Sequence, residues 1–493
     1  MNKKKVNVID ELIIENPGIE TKKEGFPDIG KREDGKDYSF SVKKIEDAWY
    51  FNNSLYKIKT TNKVYKFGTG NPIKYKSFPC AVKTLKKQLN KNLYEYPPAA
   101  GDETHRQIIS DYLKKEGFPN YIDFNNVIIT NSTTEGFYLI LKSIFKPNDV
   151  IIMTSPNYGL FAFMPERLNI NVEVIQLKRE NDYKIDPREL DSLIKSINNE
   201  LKLKYDNKKG YVPKVRAFLN INPNNPIGNV LSDKDLKLLN SIGSVCKNNN
   251  VFIIDDLIYR DLTYDRKHLA KPIGTIKEYF NNTISLFGLS KSYNLAKTRT
   301  GFIVANEVVI RLIRNNVFYI MDSISVIQSS LLAGTFNNSK KRDKVYIKYF
   351  KDLIEKYEYS MNVCLALFDG IETIKNTKYY KKILKDIKHY IKDEKEAKLV
   401  LEGIPKVKTV VVPESGFFLL VDFTELKKYG IIKNEKELAS LLYEKCGIRI
   451  LIGQSFSWIN DNEIIIRFSY SFESETLIKA ISKINNYVRG VIK

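Results

Sequence analysis

Seven short apolar runs, rich in β-branched residues and spaced by stretches able to form helices, constrain this chain more than any other feature. They occupy 127–130, 150–154, 172–177, 216–221, 251–255, 283–288 and 301–305. Runs that stay apolar instead of alternating with polar residues belong to strands covered on both faces, and so to a mostly parallel sheet with helices on either side. Helical stretches fill several gaps, at 134–145 and at 233–248, the second opened by Ser232 as an N-cap. The pattern predicts a large α/β domain over 101–340, built on a mostly parallel seven-stranded sheet. A long helical region and strand-like runs at 409–412, 417–422 and 464–469 predict a smaller α+β domain over 341–493. Residues 1–45 mix Lys, Glu, Asp, Gly and Pro without sustained periodicity and are expected to form a loosely ordered extension. Residues 46–100 are expected to be an arm that packs with the smaller domain, and the Lys-rich stretch 375–398 to be solvated helix.

Composition closes several other routes. No apolar run reaches the roughly 18 residues of a membrane helix, and Met1-Asn-Lys-Lys-Lys5 is followed by no signal-type apolar region. Asp10 and Glu11 argue against a transit peptide, so a cytoplasmic protein with no membrane partner is expected. The four cysteines (Cys80, Cys246, Cys364, Cys446) form no CxxC pair and only three histidines accompany them, so neither a disulfide framework nor a metal site is expected. Lys and Arg exceed Asp and Glu by 79 to 58, a net charge of +21, but the excess is mostly Lys spread along a chain rich in Asn, Ile and Tyr. Clustered Arg with interleaved aromatics is missing, so no specific nucleic-acid partner is expected.

Open α/β sheets bind ligands beyond the carboxyl ends of their strands, and that is where the informative residues fall. After 283–288 comes Gly288-Leu-Ser290-Lys291, with Arg299 eight residues beyond the lysine. A lysine on a polar turn forms a Schiff base if it is desolvated, and Arg offers a forked cation to phosphate. Alone, such a lysine in a Lys-rich chain reads as a solvated surface side chain. After 251–255 comes Asp256-Leu-Ile-Tyr259, a carboxylate able to hold a protonated ring nitrogen and a hydroxyl able to donate to a phenolate. Alone it reads equally as a helix-capping Asp and a packed Tyr. After 216–221 comes Asn222-Pro-Asn-Asn225-Pro-Ile-Gly228, a turn that leaves the Asn225 amide available. Upstream, Thr130-Asn-Ser132-Thr133-Thr134-Glu-Gly136 joins a strand to a helix and puts hydroxyls and N–H groups where phosphates bind.

Taken together and in this order, these blocks resemble the class I/II, fold type I, pyridoxal phosphate (PLP)-dependent aminotransferases. Tyr96-Pro-Pro-Ala-Ala-Gly101…Arg106 adds a fifth block, and the resemblance runs over roughly residues 65–475. It implies pyridoxal 5'-phosphate as cofactor and catalytic roles for Lys291, Asp256 and Tyr259: Lys291 as the Schiff-base and proton-shuttling residue, Asp256 on the ring nitrogen, Tyr259 with Asn225 on the phenolic oxygen. Ser132, Thr133, Thr134, Ser290 and Arg299 would hold the phosphate, with Tyr96 reaching in from a second subunit, and Tyr158 would stack on the ring. Arg467, in Ile466-Arg-Phe-Ser469, would clamp the substrate α-carboxylate, and Gly70 would lie in a segment closing over the substrate. The implied protein is a homodimer using amino acid and 2-oxo acid substrates. The chain departs from the family at Ile227, usually Thr, and at Ala296-Lys-Thr298, usually Thr-Gly-Trp. No arginine stands in an evident place for a second substrate carboxylate, so an Asp/Glu-specific enzyme is not expected. Transfer of an amino group from an L-amino acid to a 2-oxo acid is the expected reaction. A lyase, cyclase, decarboxylase or oxygen-dependent oxidase on the same scaffold is an alternative, as is an aminotransferase-like DNA-binding regulator.

Overall fold

The computed structural model describes residues 32–55, 60, 62–91, 93–205, 210–458, 460 and 462–492. The first element among the described residues is a helix, Phe40–Ser54, whose N-terminus is capped by the Ser39 hydroxyl accepting from Val42 N at 3.4 Å. Helix therefore begins inside the 1–45 stretch expected to be irregular, of which residues 1–31 lie outside the described residues. The cause is a cap followed by Val42, Ile45, Ala48 and Asn52, all buried and spaced to share one helical face. The chain then forms a two-residue strand, β1 (Tyr65–Lys66).

Each of the seven apolar runs is a strand, with ends displaced by at most one residue. They are β2 (Val127–Thr130), β3 (Val150–Ser155), β4 (Asn171–Gln176), β5 (Val215–Ile221), β6 (Phe252–Asp256), β7 (Thr283–Gly288) and β8 (Gly301–Val304). They hydrogen-bond in the order β2-β8-β7-β6-β5-β3-β4. β8 runs antiparallel to both neighbours and every other pair is parallel. This order sets β5, β6 and β7 side by side, with Ile221 opposite Asp256 and Asp256 opposite Leu286. The loops leaving those three carboxyl ends carry Asn225, Asp256 and Lys291, so residues far apart in sequence converge on one edge.

A four-stranded antiparallel sheet follows in the order β12-β13-β10-β9, from β9 (Lys408–Thr409), β10 (Phe418–Asp422), β12 (Leu451–Ile452) and β13 (Ile465–Ser469). Between them β11 (Ile448–Arg449) pairs parallel with β1. The run at 409–412 gives a strand of only two residues. After Val410 N donates to Leu420 O (2.9 Å) the chain meets Pro413 and turns away, and Glu414 N donates to Gly228 O at 2.9 Å. Gly228 has φ +82°, and a Cβ there would stand 2.5 Å from Pro413 Cβ. The turn bearing Asn225 is thus clamped by the segment that the strand gives up. The Lys-rich stretch is also more structured than a single solvated helix. It is two helices, Tyr380–Tyr390 and Glu394–Leu401, the second capped by Asp393, and Ile383, Ile387 and Ile391 are buried.

One apolar cluster runs through both sheets, taking Ile129, Ile254 and Leu286 from the large one and Leu419, Ile466 and Phe468 from the small one. Behind the site edge lies a buried polar knot. Asp261 accepts from Tyr293 Oη (2.9 Å) and Tyr346 Oη (2.6 Å) and pairs with Arg260 (3.5 Å), which also meets Glu116. The knot ties the loop after β6 to the loop after β7. Asp261→Ala leaves Arg260 with one carboxylate and two buried hydroxyls without their acceptor, so it is expected to cost about 3–5 kcal/mol. Denaturant titration of the purified variant checks this.

Candidate active site

A cavity of about 600 Å³ opens where the carboxyl ends of β5–β7 face the small sheet. Lys291, on the turn after β7, points into it, and its Nζ donates to Gly70 O at 2.6 Å. Burial, with Arg467 and Arg299 nearby, pulls its amine down to about 8 against the partial opposition of Asp256. At pH 7 about one Lys291 in ten is then a neutral nucleophile, whereas a solvated lysine is almost wholly protonated. In cofactor-free protein, reductive labelling of Lys291 by a small aldehyde is expected to rise tenfold per pH unit and level off above about pH 8. Surface lysines should keep gaining toward about 10.4. A Lys291 rate that climbs in parallel with theirs would contradict the desolvated amine.

Asp256 ends β6, is buried, and accepts from Ile258 N at 3.2 Å. Burial pushes its carboxyl up to about 7, the expected behaviour of an acid placed in a dry site with too little positive charge. A cation delivered by a ligand would restore its ionised form. Tyr259 is buried beside it, and desolvation holds its hydroxyl protonated, hence a donor. Asn225 is held on the clamped turn, and its Oδ1 accepts from Arg467 Nη1 at 3.2 Å. Ile227, the departure in that turn, packs into the apolar cluster on the far face of the sheet instead of into the cavity.

At the other end, the helix Ser132–Ile144 begins with Asn131 at its N-cap, whose side chain makes no capping hydrogen bond. Its first N–H groups are left for a ligand. Ser132, Thr133, Thr134, Ser290 and Arg299 line this end. A Cβ at Gly301 would stand 2.8–2.9 Å from Ser132 C, Phe287 O and Thr133 N, so only glycine lets β8 pass so close beneath that helix start. Arg467, on β13, is buried; its Nη2 donates to Gly68 O (3.0 Å), its guanidinium lies 4.0 Å over the Phe418 ring, and its Nε has no partner. An unpaired buried guanidinium N–H is a strong demand for a ligand oxygen.

The structure thus gathers every expected site residue into one cavity except Tyr96. Tyr96 stands 86% exposed, outside the cavity lining. Tyr158 lines the cavity, edge-on to Phe161 at 5.4 Å. Arg106 is structural: its Nε donates to Gly101 O (3.0 Å) and its Nη1 to Phe124 O (2.7 Å), tying down the entry to β2. Sequence reasoning missed Trp49, Asn52 and Asn53 from the first described helix, Lys66 on β1 and Arg449 on β11. A cap at Ser39 ahead of the Val42, Ile45, Ala48 row was the one available signal for the helix. Two-residue strands leave no periodicity to find. Among the described residues no cluster of His, Cys, Asp or Glu could hold a metal ion, and no helix is long and apolar enough to cross a membrane.

The donor set matches a phosphorylated pyridine aldehyde: an uncapped helix N-terminus with hydroxyls and Arg299 for phosphate, Asp256 for a ring N–H, Asn225 and Tyr259 for a phenolic oxygen, and Lys291 for the carbonyl. A family model described as aminotransferase class I and II matches residues 62–484. A probable N-acetyl-LL-diaminopimelate aminotransferase of Bacillus subtilis is 24% identical over 405 residues, 82% of this chain and 84% of that one. An aspartate aminotransferase of Pyrococcus horikoshii is likewise 24% identical, over 82% of this chain and 86% of its own. Among solved structures, the apo form of BacF from Bacillus subtilis superposes with a TM-score of 0.67 at 17% identity, covering 88% of this chain and 97% of that one. An aromatic aminotransferase from Pyrococcus horikoshii gives 0.66 at 18%, covering 90% and 99%. The fold is that of the type I aminotransferases.

Proposed function

The chain belongs to the class I and II aminotransferases, and on that premise we propose that Lys291 carries its chemistry with pyridoxal 5'-phosphate as cofactor. The reaction is transfer of an amino group from an amino acid to a 2-oxo acid. When bound, the cofactor supplies a carbonyl for the amine and a protonated ring that draws electrons from the substrate's Cα. The chain's own residues do the rest. Ser132, Thr133, Thr134, Ser290 and Arg299 take the phosphate, and Tyr158 covers the ring face. Asp256, ionised once a cation faces it, keeps the proton on the ring nitrogen. Arg467 binds the α-carboxylate bidentately and turns the Cα–H bond toward Lys291, a positioning effect. The Lys291 amine, neutral in useful amount at pH 7, would take the Cα proton and deliver it to the former carbonyl carbon of the cofactor, two bonds beyond. The cofactor, when bound, would carry the amino nitrogen from the departing 2-oxo acid to the incoming one, and the same residues would serve both directions.

The observation that carries this is the buried Lys291 amine, held by Gly70 O at 2.6 Å in the cavity that Asp256 and Arg467 also line. The test is a panel of L-amino acids with and without a 2-oxo acid acceptor. One amino product formed per acceptor consumed is expected. Carbon dioxide, ammonia or peroxide released without acceptor would indicate the lyase, decarboxylase or oxidase chemistry instead.

The proposal includes a homodimer with Tyr96 completing the neighbour's phosphate site. Support comes from Leu312, Phe318, Tyr319 and Ile320, all exposed on the helix Glu307–Met321, and from Tyr94 and Tyr96, also exposed, since exposed large apolar side chains are what an interface between subunits would cover. Sedimentation at the mass of one chain would overturn it. It also includes a reducing, cytoplasmic setting, supported by four cysteines that are all free thiols.

A further inference from the structure

Lys291 stands on a turn that is fixed from outside the cavity, by groups the chemistry proposed above does not use. Two residues on, Tyr293 is 1% exposed, with its ring edge-on to Phe78 and Phe350, each at 5.4 Å. Its hydroxyl donates to Asp261 Oδ2 at 2.9 Å, in the loop that carries Asp256 and Tyr259. Ser292 Oγ donates to Ile258 O of the same loop at 3.3 Å. On the other side Asn294 Nδ2 donates to Ile73 O at 3.0 Å, and Phe78 N donates to Tyr293 O at 3.1 Å. The Lys291 turn is therefore bonded both to the loop of Asp256 and to the segment of Gly70, whose carbonyl meets the amine.

One helix, Lys340–Phe368, holds both of those partners through tyrosines that share a face, Tyr346, Tyr349 and Tyr357. Tyr346 Oη donates to Asp261 Oδ1 at 2.6 Å and itself accepts from Arg266 Nη2 at 2.8 Å. Tyr349 Oη donates to Lys76 O at 3.1 Å, and Tyr357 Oη accepts from Ile73 N at 2.9 Å. The Tyr357 ring also stacks on Phe417 at 5.5 Å, and Lys291 Nζ lies 6.0 Å from the centre of the Phe417 ring. Asp261, buried, thus joins a phenol from the lysine turn to a phenol from the helix. Bonds to a carboxylate are charge-assisted, and losing either one leaves a buried acceptor site dry.

We propose that Tyr293 and Tyr346, joined through Asp261, are positioning residues that carry the placement of the helix Lys340–Phe368 to the Lys291 amine and hold it in line with Asp256. The inference rests on the role of Lys291 proposed above. Strand pairing does not place the amine by itself. The β6–β7 register ends at Asp256 opposite Leu286, five residues before Lys291. Past that point the bonds through Asp261 and Ile258 set the spacing between the two loops. A base must meet its proton closely, and a misplacement of about 1 Å costs about a hundredfold in rate.

The charged groups facing the amine are Asp256 from β6, Arg299 ahead of β8 and Arg467 on β13, with the phenols of Tyr158 and Tyr259 in the same cavity. The test alters none of them. In cofactor-free protein, reductive labelling of Lys291 by a small aldehyde is followed against pH in the natural chain, in Tyr293→Phe and in Tyr346→Phe. Each variant is expected to raise the labelling midpoint above about 8, by about half a unit or more, because a loosened turn lets water back to the amine. Ile387→Val, at a buried position of the helix Tyr380–Tyr390, loses stability away from the turn and should leave the midpoint in place. In the cofactor-loaded protein both Tyr variants should lower kcat about ten- to a hundredfold and change KM by less than about twofold. An unchanged midpoint in either Tyr variant, an equal move in Ile387→Val, a natural kcat or a loss confined to KM would overturn the link. If the midpoints move as expected while the natural protein transfers no amino group to any acceptor, the link stands and the reaction assigned to Lys291 fails.

Discussion

Replacing Lys291 with alanine is expected to lower the rate of amino transfer by about 10⁴-fold, the largest effect of any single substitution in this chain. The residue has two duties, to bond the cofactor carbonyl and to move the Cα proton, and among the described residues no other amine is bonded to Gly70 at the centre of the cavity. Added small amines should restore part of the rate by acting as the missing base. The substitution also has a signature in stability. The Lys291 amine titrates at about 8 in the folded chain and near 10.5 when unfolded, so the unfolded state holds the proton more tightly. In the cofactor-free protein its contribution to stability is therefore greatest above about pH 10.5. It falls as pH drops toward about 8 and is constant below that. Thermal melts of cofactor-free protein across that window should show this slope in the natural chain and lack it in Lys291→Ala. A variant with near-normal turnover would remove the lysine from the mechanism.

Asp256→Asn is expected to lower turnover by about 10²–10³-fold, the usual consequence of losing one preorganised electrostatic group in a dry site. The amide has the shape of the carboxylate but no charge to keep a proton on the ring nitrogen, so the developing charge at Cα loses its sink. The environment makes the exchange severe. Asp256 is buried at the end of β6 next to a second buried acid, Asp255, and its carboxyl is pushed up to about 7 in the cofactor-free chain. Cofactor affinity should therefore weaken as pH falls through about 7, because the protonated acid no longer pairs with a cation. In Asp256→Asn that pH dependence should vanish while the basal affinity drops. Fluorescence titration of the cofactor between pH 5.5 and 8.5, about a unit and a half on each side, reads both effects.

Much of this site was legible in the amino-acid order, for a physical reason. Strands buried on both faces cannot alternate polar and apolar residues, so β2–β8 stand out as runs, and the loops at their carboxyl ends are located without a structure. Asn225, Asp256, Ser290, Lys291 and Arg299 were found that way. Arg467 lies on a central strand of the small sheet, Ile465–Ser469, that reads as clearly. The wall opposite did not read at all. β1 and β11 are two residues each, and their pairing joins positions 66 and 449, a contact no local pattern encodes. The helix Phe40–Ser54 was hidden because most of its turns are polar and its buried face includes Glu46 and Asn52, which blunt the apolar stripe. The strand expected at 409–412 ended early because the chain leaves β10 to clamp the turn at Gly228 through Pro413 and Glu414, an interaction set by tertiary packing. Tyr96 marks the other boundary, since its expected role belongs to a second copy of the chain.

The most direct test of the account is to reduce the cofactor-loaded protein with borohydride and find which lysine carries the cofactor's mass. Among the described residues three lysines line the cavity, Lys66, Lys291 and Lys297, so the experiment can discriminate. The account predicts the label on Lys291 alone, and its disappearance when an L-amino acid is added before the reductant and its return when a 2-oxo acid follows. A label on Lys66 or Lys297, or one that amino acids do not displace, would contradict it.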